Sequence, residues 1–137
     1  MEFRENELSF SDYCDLRSSV GWNNWFESQS RRALENSLYV LTLEEKGRPV
    51  AMGRLIGDGM YYLMVDVVVR PEYQGQGLGS AMVDRLLAYV EAMTPADGRS
   101  SVQLIAEPGM EGFYLKKGFK QIPHEFCGSA FRKIIRK

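Results

Sequence analysis

Residues Val67-Val68-Val69-Arg70-Pro71-Glu72-Tyr73-Gln74-Gly75-Gln76-Gly77-Leu78-Gly79-Ser80 constrain this chain more than any other stretch. An apolar β-branched run stops at a proline, three glycines follow at alternate positions, and an amphipathic helical pattern begins at once. Glycine lets a backbone turn sharply and approach a ligand with no Cβ in the way. A helix that starts beside such a loop offers unpaired N–H groups and the positive end of its dipole, which together attract an anion. The order strand, glycine loop, helix therefore predicts a phosphate or pyrophosphate at the helix start. A glycine-rich turn without a ligand is the alternative.

Two common phosphate loops do not fit. A Walker loop needs a Lys-Ser or Lys-Thr pair after its glycines, and none follows here. The dinucleotide fingerprint would require glycine where Ser80 stands. Read as Gln74-x-x-Gly77-x-Gly79, the loop resembles the Q/R-x-x-G-x-G/A signature of the GNAT acyltransferases, which cradles the pyrophosphate of coenzyme A. A second segment, Phe113-Tyr114-Leu115-Lys116-Lys117-Gly118-Phe119, resembles the FY-x-x-x-GF end of the same family. Gly118 suits a left-handed residue just past a helix end, with Lys116 and Lys117 in the last turn where cations complement the dipole. The two motifs occur in the family's order, and the resemblance extends over most of the chain.

Length and composition agree with one domain spanning residues 1–137. Hydrophobic residues make up 45% of the chain, which excludes a disordered class. A formal charge of −1 gives no electrostatic case for nucleic acid. The cluster Arg132, Lys133, Arg136 and Lys137 reads as a solvated strand end. Cys14 and Cys127 lack metal-ligand spacing and form no disulfide framework, and the lone His124 leaves little scope for a zinc site, so no metal is expected. The start MEFRENELSF has no apolar signal core and no apolar run reaches membrane-spanning length. A reduced, cytoplasmic setting without membrane attachment is the expectation.

Along the chain, residues 2–6 read as a strand, and Ser9 or Ser11 as the cap of a helix running to about Val20. A second helix is expected over 24–35. Residues 40–45 and 50–56 read as antiparallel strands around the turn Lys46-Gly47-Arg48-Pro49. The apolar run Tyr61–Val69 predicts a strand buried on both faces. The main helix spans about 77–93, with Leu78, Met82, Leu86, Tyr89 and Met93 at helical spacing. A short strand over 102–106, a helix over 110–117 and closing strands over 119–123 and 129–135 complete the order.

The GNAT resemblance implies an α+β fold: a mixed, mostly antiparallel sheet with a splayed parallel strand pair, here 61–69 and 102–106, flanked by about four helices. It further implies acetyl-CoA as cosubstrate, bound by Gln74, Gly75, Gln76, Gly77, Leu78, Gly79 and Ser80. It also places a bulge in the first of the splayed strands, whose freed backbone groups at Val67, Val68 and Val69 would meet the pantetheine arm and the acetyl carbonyl. Direct transfer of the acetyl group to a primary amine follows, with Tyr114 as general acid toward the leaving thiolate. Ordinary packing is the other reading of Tyr114.

Asp66 is the most informative single side chain, because a carboxylate inside an apolar run must be paired, protonated or near a cavity. It reads either as a base toward the amine or as the partner of a buried arginine. Asp66 with the valines and the glycine loop also resembles the arylalkylamine and serotonin N-acetyltransferase-like branch. On the acceptor side, Trp22 with Trp25 and Phe26 could wall an apolar amine, Met64 with Met60 could line the same cleft, and Glu107 stands where many relatives carry asparagine. The expected partner is a small-molecule amine, with a homodimer left open. A catalytically silent acyl-CoA sensor and a protein lysine or N-terminal acetyltransferase are the alternatives.

Overall fold

A computed structural model describes all residues, 1–137. The chain forms two compact units, Met1–Leu104 and Ile105–Lys137. No helix is long and apolar enough to cross a membrane.

The first unit is a five-stranded sheet in the order β1 (Glu2–Glu5), β2 (Tyr39–Glu45), β3 (Arg48–Gly57), β4 (Tyr61–Val69), β5 (Ser101–Gln103). Neighbours are antiparallel except the last pair, β4 and β5, which run parallel. Helices α1 (Phe10–Ser19), α2 (Glu27–Glu35) and α3 (Leu78–Met93) complete it. Of the two candidate caps, Ser9 starts α1: its Oγ accepts from the Asp12 amide at 3.1 Å. Helix α2 begins at Glu27, later than expected. The β2–β3 turn is only Lys46 and Gly47, both left-handed at φ 50° and 77°. That is the two-residue geometry matched to the twist of antiparallel strands, so Arg48 and Pro49 fall inside β3.

Adjacent residues of β3 show how the layers divide, since successive side chains point to opposite faces. Met52 packs with Tyr13 and Leu16 of α1 and with Val68 of β4. A Cβ at its neighbour Gly53 would stand 2.7 Å from Leu86 Cδ1 of α3. The sheet thus lies between α1 on one face and α3 on the other. Helix α3 buries Met82, Val83, Leu86 and Val90; Met93, expected on that stripe, is 56% exposed because the stripe drifts to Val90 by the last turn.

Strand β4 departs from expectation in two ways. Burial alternates along it, with Tyr62, Met64 and Val68 buried and Tyr61 exposed, so it is not covered on both faces throughout. Its parallel pairing with β5 covers three residues only, Tyr61–Leu63 against Ser101–Gln103. Residues 104–106, expected in that strand, lie outside it, and β4 runs on to Val69 without a parallel partner. That is the splay.

The second unit holds α4 (Glu111–Lys116). Its end explains the FY-x-x-x-GF pattern. Gly118 is left-handed at φ 91°, its amide donates to Leu115 O at 3.1 Å, and the Phe119 amide donates to Tyr114 O at 3.2 Å. This paired closure of a helix end brings Tyr114, about one turn before the glycine, against Phe119 just after it. The Tyr114 and Phe119 rings meet edge-on at 5.7 Å, and Phe113 meets Tyr114 at 5.0 Å.

The closing strands expected over 119–123 and 129–135 do not form. The only ladder contact there is a bridge between His124 and Cys127, with amides and carbonyls exchanged at 2.9 and 3.0 Å. Apolar alternation gives a segment β propensity, but a strand exists only through a partner's ladder. Pro123 removes a donor from the first segment. In the second, Phe131 is 95% and Ile135 79% exposed, so its apolar side chains find no face to bury.

Candidate functional site

Two features meet at the end of β4: a bulge and the glycine loop. Across β3 and β4 the register passes from Met52–Val68 to Arg54–Val65, so Gly53 faces two residues, Asp66 and Val67. Asp66 is left-handed at φ 55°. The expected bulge is present, centred on Asp66 and Val67 rather than on the three valines. An extra residue of this kind leaves backbone groups outside the ladder and bends the strand. Val67 lies on the α3 side near Gly53, Val68 is buried among Tyr13, Leu16 and Met52, and Val69 packs beneath the first turn of α3, 3.8 Å from where a Gly79 Cβ would be.

The loop follows through a single 3₁₀ turn, Pro71–Tyr73, with the Tyr73 amide on Arg70 O at 2.8 Å. Gly75 and Gly77 are left-handed at φ 78° and 80°, and no atom lies within 4 Å of a Cβ built at either. Backbone conformation, not crowding, demands glycine there. Gly77 caps α3, whose first internal bond is the Ala81 amide to Gly77 O at 3.1 Å. The Leu78 and Gly79 amides precede that bond at the positive end of a sixteen-residue helix. The loop is exposed from Gln74 to Gly77. Its donors and geometry suit a pyrophosphate. Gln74 has a bracing role, since its Nε2 donates to Val69 O at 2.9 Å.

Asp66 is paired. Its Oδ2 accepts from Tyr13 Oη at 2.7 Å and from Arg54 Nε at 2.9 Å, while Oδ1 pairs with Arg17. All three charged side chains are buried, 7% exposed for Asp66, 9% for Arg54 and 10% for Arg17. Arg54 reaches on to Ser37 Oγ at 2.7 Å and Ala33 O at 3.3 Å, and Arg17 to Asn23 O at 2.7 Å. Of the two readings of Asp66, this geometry is that of the arginine partner. Burial first, then the Asp66 charge and hydrogen bond, push the Tyr13 phenol up to about 12.

The remaining expected residues divide. Trp22 is half-buried against the α1 core, whereas Trp25 and Phe26 are 53% and 76% exposed. Met60 is exposed, but Met64 is 3% exposed and packs in the core, which corrects its placement in an open cleft. In the second unit, burial first and the Glu107 carboxylate second raise the Tyr114 phenol above its ordinary value, so it stays protonated at neutral pH. Glu107 itself is exposed. Burial likewise pushes the Cys14 thiol up, away from a reactive thiolate.

Sequence reasoning missed Tyr13, Arg17, Arg54 and Arg70. Arg54 carried a signal, a cation inside the apolar run Val50–Ile56; Arg17 carried none, on a short polar helix. Arg70 is 4% exposed and anchors the loop entry, through Nε to Pro49 O at 2.8 Å and a terminal nitrogen to Asp15 at 2.6 Å.

Comparison with known proteins places these features in company. The family model for the acetyltransferase (GNAT) domain matches residues 35–121. The chain is 43% identical to a serotonin N-acetyltransferase 2, chloroplastic, of Oryza sativa subsp. japonica, over 85% of this chain and 59% of that protein. It is 35% identical to a GCN5-related N-acetyltransferase 1, chloroplastic, of Arabidopsis thaliana, over 95% of this chain and 64% of that one. The chain thus spans less than two thirds of the length of either relative. Among solved structures, a protein of unknown function from meticillin-resistant Staphylococcus aureus, described as a probable acetyltransferase, superposes with a TM-score of 0.82 at 29% identity. That match covers 96% of this chain and 98% of the other.

Two outcomes test the cluster. Asp66→Asn leaves two buried guanidiniums without a counter-charge, so urea unfolding should show a loss of about 3–5 kcal/mol. An Asn variant of wild-type stability that has lost turnover would make Asp66 a base instead. The raised Tyr13 phenol contributes stability that is complete below pH 10 and lost as pH rises from there through about 12. Tyr13→Phe should therefore flatten part of the alkaline loss of stability over that window. The remainder is shared among the other raised phenols, Tyr39, Tyr62, Tyr73 and Tyr114.

Proposed function

Since the chain belongs to the GNAT acetyltransferase family, we propose that it moves an acetyl group from acetyl-CoA directly onto the nitrogen of a small primary amine. The observation that carries this reading is the junction at the end of β4, where a bulge at Asp66–Val67 leads into a left-handed glycine loop and the start of α3. Amides at that helix start would hold the pyrophosphate, with Gly75 and Gly77 letting the backbone close around it. Backbone groups released by the bulge would face the pantetheine arm and the thioester carbonyl.

The chemistry is simple in outline. A neutral amine attacks the thioester carbonyl, a strand N–H steadies the oxyanion, and the carbon–sulfur bond breaks as the thiolate takes a proton from an acid. The surplus proton on nitrogen passes through water to restore that acid. Tyr114 is the proposed acid, on its place in the FY-x-x-x-GF motif and its raised phenol. Asp66, held by Arg17, Arg54 and Tyr13, is assigned to support the bulge. No cysteine nucleophile is required, in keeping with the raised Cys14 thiol.

For the acceptor, we propose an arylalkylamine. Two features support it: the relative named serotonin N-acetyltransferase 2, and the exposed aromatic surface of Trp25 and Phe26 beside the half-buried Trp22. An aromatic amine would gain stacking area there at little cost in side-chain ordering. Both thiols are free, which fits a reduced compartment; a cytoplasmic one is proposed, while the two plant relatives are named chloroplastic.

Acetyl-CoA or CoA at a hundredfold excess over its dissociation constant should stabilise the protein by about 2.7 kcal/mol. NAD and ATP should do far less. Gly77→Val places a β-branched residue at φ 80° and should abolish the shift while the protein still folds. Equal stabilisation by ATP would overturn the assignment.

Tyr114→Phe keeps the ring contacts with Phe113 and Phe119 and removes one hydroxyl, so stability should barely change. Turnover of serotonin should fall about 10²-fold with little change in KM for acetyl-CoA, as expected of an interaction made in the transition state. Full turnover in the Phe variant would return Tyr114 to packing alone.

A further inference from the structure

Arg17 stands between two parts of the first unit that the proposed reaction would use. One terminal nitrogen pairs with Asp66 in the β4 bulge. The other donates to Asn23 O at 2.7 Å, in the segment joining α1 to α2 that carries Trp22, Trp25 and Phe26. The guanidinium also lies 5.3 Å from the centre of the Trp22 ring. Its Nε, buried, has no hydrogen-bond partner. A buried polar atom left unpaired calls for a reason. Here the side chain forgoes one donor to reach acceptors on two separate elements.

Charge balance alone does not account for Arg17. Arg54 already pairs with Asp66 through Nε at 2.9 Å, so the carboxylate has a counter-charge without it. Arg17 adds a second, net positive charge to a buried cluster, and what it alone contributes is the tether to Asn23. A planar guanidinium can hold a carboxylate and a carbonyl at once in fixed geometry; a lysine ammonium on its flexible stem holds one well.

We propose that Arg17 is a positioning residue for the acceptor: it ties the 20–26 segment to the β4 bulge, so that the aromatic surface receiving the amine is set in register with the strand that receives the acetyl carbonyl. This rests on the acetyl-transfer reading above. Arg17 touches neither substrate; it acts through Asn23 and Trp22. Loss of the tether should loosen the acceptor segment and leave the glycine loop, whose entry Arg70 holds through Pro49 and Asp15, as it was.

The experiment compares Arg17→Lys and Arg17→Met with the wild type. Arg17→Lys keeps a charge for Asp66, and Arg17→Met leaves the Arg54–Asp66 pair in place, so both should fold. Steady-state kinetics use serotonin and acetyl-CoA; cofactor binding is read separately from the thermal shift with CoA. Both variants should raise KM for serotonin about tenfold or more, change kcat less than threefold and keep the CoA shift. In a Trp25→Phe background, Trp22 is the only tryptophan of the two in the chain. Acrylamide quenching of its fluorescence should rise at least twofold in both variants. Arg17→Lys with a melting temperature near wild type and a raised KM would separate positioning from stability.

Unchanged quenching with unchanged KM would overturn the proposal, as would a fall in kcat at constant KM, which would place Arg17 in the chemistry of the bulge. If the wild-type protein leaves serotonin unacetylated, the acceptor reading fails by itself. The quenching comparison then still decides whether Arg17 holds the segment.

Discussion

One carboxylate organises the first unit. Asp66 occupies a left-handed position in the middle of a strand, a conformation that an L-residue adopts only when its surroundings impose it. Those surroundings are Arg17, Arg54 and Tyr13, which approach from α1 and β3 and converge on two oxygens. Buried ion pairs of this kind add little net stability over an apolar core, because both partners lose their hydration. They do fix geometry. A slip of the bulge by one residue would carry Asp66 to the other face and strand two guanidiniums in the core.

From that point the local structure propagates in both directions. Toward the C-terminus of β4, Val68 packs on α1 and Val69 beneath α3, so the strand end cannot rotate independently of either helix. Arg70 then locks the loop entry to Pro49 and Asp15. The exposed glycine loop is thus flexible in sequence but anchored at its base, the combination an anion site needs if it is to bind without a large ordering cost. Toward the helices, Arg54 reaches Ala33 in the last turn of α2 and Ser37 just beyond it, and Arg17 reaches Asn23 before it. The bulge and the α1–α2 segment are therefore mechanically one assembly.

The C-terminal unit works by a different physics. Its most regular part is the end of α4, where a left-handed glycine closes the helix and brings Phe119 onto Tyr114. The aromatic pair and the glycine are read from sequence as a motif, but they are also what the helix stop requires in packing terms. A phenol that is both part of a structural stop and raised by burial is well placed to stay protonated. Removing its hydroxyl therefore separates chemistry from packing.

Much of this was legible in residues alone. Local rules are strong where a backbone conformation admits few residue types, so the glycine loop, a serine cap at the start of α1, a turn at Lys46-Gly47, most of the α3 stripe and the Gly118 stop follow from sequence. The structure chose Ser9 over Ser11 and placed Arg48 and Pro49 in β3. The family resemblance added the splayed strands and a bulge. Other features depended on partners far apart in the chain. Whether Asp66 is a free base or a paired acid turned on Arg17 and Arg54, 49 and 12 residues away. Met64 read as a cleft residue until the sheet buried it, and the apolar alternation of 129–135 read as a strand although no ladder receives it. Sequence by itself determined where the backbone turns, where helices cap and where glycines open a loop at a helix start, because those are properties of a few consecutive residues. Only tertiary structure decided which charges meet and which strands find neighbours, because ion pairs and ladders are satisfied by whatever the fold brings into contact.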